Sequence, residues 1–333
     1  MKSLDRRLAS ILAGRYAPDD FIIADAKDAD MAKGVTAGGP PRDAQGRTGA
    51  GFKTRRAYLD DMAAVVKQGE VDILLASASS GERLAQEGLF EKSAATLAIR
   101  ANDTTDIWLP RGSGYAQMPS RPFRTARLEL TRGFCDLVLY SITFNGQVDL
   151  DSAALEAYGR FRDEARRLGV RHFLEVFNPN ATALPPQAVP GFVNDSIVRA
   201  LAGVTSAERP IFLKVAYNGP AALEELASHD AGMVVGLLGG GTGTTRDCFE
   251  LLAQGARYGA RVALFGRKIQ LAESPLDILA LMRPVICGDL SPLEAVRAYH
   301  AALGKRGIVP DRGPEADAVI TESALKLAEQ GAR

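Results

Sequence analysis

Eight short apolar runs, most of them separated by helical patterns, constrain this chain more than any other feature. They are Phe21–Asp25 (FIIAD), Val71–Ala76 (VDILLA), Ala95–Arg100 (ATLAIR), Cys135–Ile142 (CDLVLYSI), Arg171–Phe177 (RHFLEVF), Pro210–Ala216 (PIFLKVA), 231–238 (AGMVVGLL) and 260–266 (ARVALFG). Each is too short for a buried helix and rich in branched residues, as a strand covered on both faces must be. Between them lie 3.6-residue patterns. One covers 54–69 and puts Tyr58, Met62, Val65 and Val66 on a single face. Another covers 151–169, with Asp151 as its expected cap and Gly169 closing it. Strands alternating with helices predict a parallel sheet, and eight of them predict a (β/α)8 TIM barrel with extra terminal helices. The reading is one barrel domain over residues 1–333. It has an amphipathic helix within 1–18, the barrel over about 20–285 and closing helices over about 290–331.

Composition narrows the partners. Among 333 residues, Lys plus Arg and Asp plus Glu each number 40, so the net charge is zero. That balance makes no general case for nucleic acid or an anionic membrane, and neither is expected as a partner. No run reaches the ~20 apolar residues a membrane helix needs. The apolar stretch after Arg6 and Arg7 is short for a secretory signal. Three widely spaced cysteines, Cys135, Cys248 and Cys287, suggest no disulfide framework and fit a reducing cytoplasm.

In such a barrel, chemistry sits at the C-terminal ends of the strands. Alternation within PIFLKVA puts Phe212, Lys214 and Ala216 inside. A buried lysine is costly unless paired, and burial favours the free amine that attacks carbonyls. An ion-paired structural lysine is the competing reading. The same parity expects Ile23 and Asp25 inside with Lys27 just beyond, Phe173 and Glu175 inside, and Thr96, Ala98 and Arg100 inside. Four strands would then deliver ionisable groups of opposite sign to one end, a pattern commoner in catalytic sites than in structural networks. The fourth run offers Tyr140, Ser141 and Phe144, with its parity open. His172, His229 and His300 fall outside any metal-binding spacing, so no metal and no cofactor are expected. Two long connections, Asp30–Phe52 and Asn102–Thr125, follow odd strands and would lie over the mouth as lids or as surface. Arg111 and Arg124, in the second, are candidate grips for a further anion.

Residues 236–247 read GLLGGGTGTTRD. Glycines let backbone amides approach an anion, so Gly239, Gly240 and Gly241 form a candidate phosphate cradle, completed by the helix start that follows. A second loop, FGRK, adds Gly266 and Arg267. The cradle could serve a tubulin-like GTPase or a sugar-phosphate barrel. The first would need a further glycine where Thr245 stands and other glycine-rich loops in a nucleotide-binding half, which are not found.

Taken in order, ADAKDADMAKG, LYSITFNG, FLEVFNP, FLKVAYNG, LLGGGTGTTRDCFELLAQGARYGA and LFGRKI resemble the class I aldolases of the deoxyribose-phosphate, archaeal-type fructose-bisphosphate and tagatose-bisphosphate superfamily. The resemblance spans about Asp20 to Gln270. It implies that Lys214 is the Schiff-base lysine, Asp25 the strand-one aspartate and Glu175 the proton-transfer residue, with Tyr140 as the alternative acid/base. It implies phosphate contacts from Gly239, Gly240, Gly241, Gly266 and Arg267; Lys27 and Arg100, with the lid arginines, are candidate grips for a second anionic group. The expected activity is a metal-independent, cytoplasmic lyase that makes or breaks a C–C bond in a phosphorylated sugar or related carbonyl compound, as a homo-oligomer. A transaldolase or Schiff-base synthase on the same scaffold, and a non-catalytic sugar-phosphate binder, are the alternatives.

Overall fold

A computed structural model describes residues 1–330. Its barrel strands are β1 (Ile22–Lys27), β2 (Ile73–Ala76), β3 (Thr96–Arg100), β4 (Leu137–Thr143), β5 (Arg171–Phe177), β6 (Leu213–Val215), β7 (Val235–Leu238) and β8 (Val262–Phe265). They are parallel and close into a barrel with each strand beside its sequence neighbours and β8 beside β1. The eight apolar runs therefore all become strands. The tail of the last expected helix, at 331, lies outside the described residues.

Two apolar layers result. Ile22, Ala24, Ile73, Leu75, Ala98, Leu137, Leu139, Phe173, Phe212, Val262 and Leu264 fill the barrel. The alanines offset Phe173 and Phe212, whose rings stack with centroids 4.5 Å apart. The alternate residues, such as Ile23, Leu74, Val138, Leu174, Leu213 and Leu237, pack under the helices. Leu4 and Leu8 of the N-terminal helix (Ser3–Leu12) join the inner layer and plug the bottom of the barrel. Arg7 fastens that helix through Asp72, whose other oxygen accepts the Ile23 amide.

The helix Arg55–Gln68 starts at a Thr54 cap and buries the expected face, Tyr58, Met62, Val65 and Val66. The next expected start is corrected. That helix runs Val148–Leu168, and Asp151 sits inside its first turn. Its carboxylate accepts the amides of Asn145, Gly146 and Gln147, just ahead of the helix. Gly169, at φ 67°, closes the helix as expected. Helices Pro292–Arg306 and Ser323–Gln330 follow the barrel. Among the described residues, no helix is long and apolar enough to cross a membrane.

Candidate active site

At the C-terminal ends of the strands lies a cavity of about 200 Å³, lined by Lys214, Glu175, Arg100 and Asp28. The register explains how they meet. Ser141 of β4 pairs with Glu175 of β5, and Glu175 pairs with Lys214 of β6. Register partners in parallel strands share a face, so three polar side chains stand in one row inside the mouth. Lys214 Nζ lies 2.6 Å from Glu175 Oε1. The other oxygen, Oε2, accepts Ser141 Oγ at 2.6 Å and Arg100 at 3.1 Å. Burial opposes the Glu175 charge, but Lys214 and Arg100 outweigh it and hold the carboxyl below its ordinary value.

Arg100 is fully engaged. Its Nε donates to Asp28 at 2.5 Å and its two terminal nitrogens donate to Ser141 and Glu175. It orders the carboxylates instead of presenting a free fork to a substrate, as the sequence had suggested. Asp103 sits 3.7 Å from the same guanidinium. Burial pushes its carboxyl up to about 7; Arg100 opposes this, while Asp28, Glu175 and Asp30 add to it. Asp28 and Asp103 are both missing from the sequence reading. Asp28 lies one residue past the end of β1, and Asp103 lies in a two-residue strand paired with Pro122–Phe123, outside the eight barrel runs.

The parity expected for β1 is wrong. Asp25 is in register with Leu74 and Phe265, both in the outer layer. Asp25 and Lys27 therefore face the helices, fully buried and 3.0 Å apart as an ion pair, outside the mouth. Burial raises the Asp25 carboxyl above its ordinary value, with Lys27 opposing. The inward positions on this strand are Ile22, Ala24 and Ala26, and Asp28 continues them into the cavity. The open parity of β4 is also decided. Tyr140 points into the helix layer, packed on Tyr158 and Phe161, and burial pushes its hydroxyl up to about 12. Ser141 takes the inward place. Phe144 is buried in the outer layer as well. His172 bonds the Tyr158 hydroxyl behind the barrel.

Gly239, Gly240, Gly266 and Arg267 border the cavity, whereas Gly241 lies outside its lining. A side chain at Gly266 would come within 2.9 Å of the Ala26 carbonyl, and one at Gly239 within 3.2 Å of the Phe265 backbone. Both glycines are needed for these loops to close on β1 and β8. The helix start is another correction. Thr244, Thr245 and their neighbours border a separate cavity of about 420 Å³. The Thr245 amide already donates to Asp317 and the Thr244 amide to Asp247.

The second bond is the capping box of that helix, and the first belongs to a brace from the C-terminal segment that also grips Asp247. Asp247 is fully buried and accepts Thr244 N at 2.9 Å, Thr321 N at 2.8 Å, Thr321 Oγ1 at 2.5 Å and Glu322 N at 3.2 Å. Glu322 pairs with Lys268, one residue past Arg267, at 2.6 Å. Residues 317–322 thus tie the loops after β7 and β8 to one another from outside. Both lid candidates reach the mouth. Ala32 and Lys33 come from one and Ile107 and Leu109 from the other. The Leu109 amide donates to the Ala32 carbonyl at 2.7 Å, joining them. Arg111 instead lies over the Phe52 ring, and Arg124 pairs with Glu164 on the outer helix.

No family model and no curated protein matches the sequence. Solved structures do match. An archaeal fructose-1,6-bisphosphate aldolase superposes with TM-score 0.61 at 15% identity, covering 84% of this chain and 99% of its own. A fructose-bisphosphate aldolase from Slackia heliotrinireducens gives 0.63 at 13% identity and covers 90% of each chain. The shared feature is the fold, the eight-stranded barrel of these aldolases. A further match, at TM-score 0.60 and 15% identity over 84% of this chain and all of its own, is an archaeal fructose-1,6-bisphosphate aldolase with its catalytic lysine covalently bound to the carbinolamine intermediate of the substrate.

Proposed function

We propose that this chain is a class I aldolase acting on a phosphorylated carbonyl compound through an imine at Lys214. The observation that carries the reading is the placement of Lys214. Its amine is buried at the end of β6, opens into a cavity and has Glu175 at 2.6 Å. A structural ion pair has no need of a cavity at its amine. The barrel's likeness to Schiff-base aldolases supports the same reading.

The chemistry follows from these contacts. Glu175 takes a proton from the Lys214 ammonium, and the free amine attacks the substrate carbonyl. The resulting carbinolamine loses its hydroxyl as water, using a proton returned by Glu175, and leaves an iminium. The positive nitrogen then draws electrons. The C–C bond one carbon away breaks, its electron pair forms an enamine, and the departing carbon becomes a carbonyl as its hydroxyl proton passes to a carboxylate. Glu175 is held ionised for that step by Lys214 and Arg100. Protonation of the enamine and hydrolysis restore Lys214. Gly239, Gly240, Gly266 and Arg267 hold the substrate phosphate through amides and one guanidinium. Phe177, Ile107 and Leu109 wall the cavity and exclude water.

Borohydride reduction in the presence of a panel of phosphorylated aldehydes and ketones tests this. The expected result is a stable mass increase on the peptide containing Lys214 and none in Lys214→Met, which keeps the fold because methionine has similar length. Label on Lys27 or Lys53 instead, or on no lysine, overturns the assignment and leaves a carbonyl-independent binder.

A further inference from the structure

The charges around the cavity are unevenly divided. Lys33 and Arg267 border it beside Gly239 and Gly240, at the β7–β8–β1 side. Neither takes part in an ion pair among the described residues. Partial burial, with the Arg267 charge second, lowers the Lys33 ammonium below its ordinary value. Two neighbouring cations without a counter-ion attract a dianion.

The ends of β1, β3 and β5 carry the reverse field. Asp28, Asp103 and Glu175 surround the single Arg100, with Asp30 behind them. Arg100 is saturated by these groups and Ser141. The remaining wall there is Ile107, Leu109 and Phe177. Arg111 and Arg124, the two arginines that sequence placed over this region, turn away to Phe52 and Glu164. Away from Lys33 and Arg267, a second phosphate would meet the Asp28 and Glu175 carboxylates and an apolar wall, and the other lining cations, Arg100 and Lys214, are already paired.

We infer that the cavity takes a substrate with one phosphate, held between Lys33 and Arg267, and an uncharged arm lying against Ile107, Leu109 and Phe177. This deepens the aldolase reading and rests on it only for the identity of the reacting carbonyl. A bisphosphorylated sugar is the substrate class it excludes.

Calorimetric titration of the full chain with two alcohols tests the inference without any imine. Glycerol 1-phosphate carries one phosphate and glucitol 1,6-bisphosphate carries two, and neither has a carbonyl. Glycerol 1-phosphate is expected to bind at least as tightly as the bisphosphate. Lys33→Gln and Arg267→Gln are each expected to weaken it about 10-fold, the loss of one charge-assisted contact. Leu109→Arg is expected to raise affinity for the bisphosphate alone. Tighter binding of the bisphosphate by the unaltered chain overturns the inference, as does the absence of binding by either compound at millimolar concentration. A failure of borohydride trapping at Lys214 would sink the aldolase reading while leaving this titration readable.

Discussion

Replacing Asp247 with alanine removes both the capping box of the helix after β7 and the hold of the C-terminal segment on it. The carboxylate accepts four hydrogen bonds, from Thr244 N, Thr321 N, Thr321 Oγ1 and Glu322 N. Thr321 is exposed, so its donors can turn to water, whereas the Thr244 amide belongs to a residue only 5% exposed. Hydrogen bonds to a charged acceptor contribute ~1.5–3 kcal/mol each, and a buried donor left alone costs about as much. Counting the Thr244 bond in full and the other three in part gives a loss of about 3–5 kcal/mol. Unfolding entropy near ~2.1 cal/mol/K per residue makes the melting temperature fall by about 4–7 °C for a chain of this length. The loss should depend on pH. Burial opposes ionisation of Asp247, but the bonds from Thr321 and the backbone amides outweigh it and hold the carboxyl below its ordinary value. The folded state therefore binds fewer protons here than the unfolded one. The contribution is complete above the ordinary carboxylate value, near pH ~4, and is lost as pH falls through the lower folded value. Scanning calorimetry of both proteins from pH 7 to pH 3 should show a gap that narrows with acid. A gap within about 1 °C at pH 7, or one that widens on acidification, would refute the argument.

Three further outcomes follow from the mouth and its surroundings. Glu175→Gln should lower kcat by about 10²–10⁴-fold, the usual contribution of a proton-transfer group, and slow borohydride labelling of Lys214, because Glu175 moves the protons of imine formation as well as of cleavage. Tyr140→Phe should leave kcat unchanged, because its ring lies behind the barrel against Tyr158 and Phe161; a collapse in turnover with normal stability would return the acid/base role to the tyrosine. Asp103 is raised to about 7 by burial, so between pH ~4 and 7 the folded state keeps a proton that the unfolded state releases. Its favourable contribution is complete below pH ~4 and is lost as pH rises through 7. Asp103→Asn should therefore flatten the melting temperature over pH 4–8, and parallel curves for the two proteins would contradict the raised carboxyl.

The barrel was legible in the sequence because strands covered on both faces must be short apolar runs, and all eight were. Lys214 and Glu175 were legible too. Each follows a phenylalanine two residues earlier, and the bulky ring marks the inward face that the charge then shares. Alternation failed at β1, where Ile22, Ile23 and Ala24, and Phe21 just before them, are all apolar and either face could turn inward. Pairing with β2 and β8 decides it, turning Asp25 and Lys27 to the helices and Asp28 to the mouth. The same holds for Tyr140 against Ser141. The brace is less visible still, since Asp247 meets its partners 74 and 75 residues away in sequence. A strand's period of two records that neighbouring side chains face opposite ways but not which way is in. That choice, and the meeting of distant polar groups, belongs to the register of a closed sheet, where every strand's facing is set by the hydrogen bonds to its neighbours.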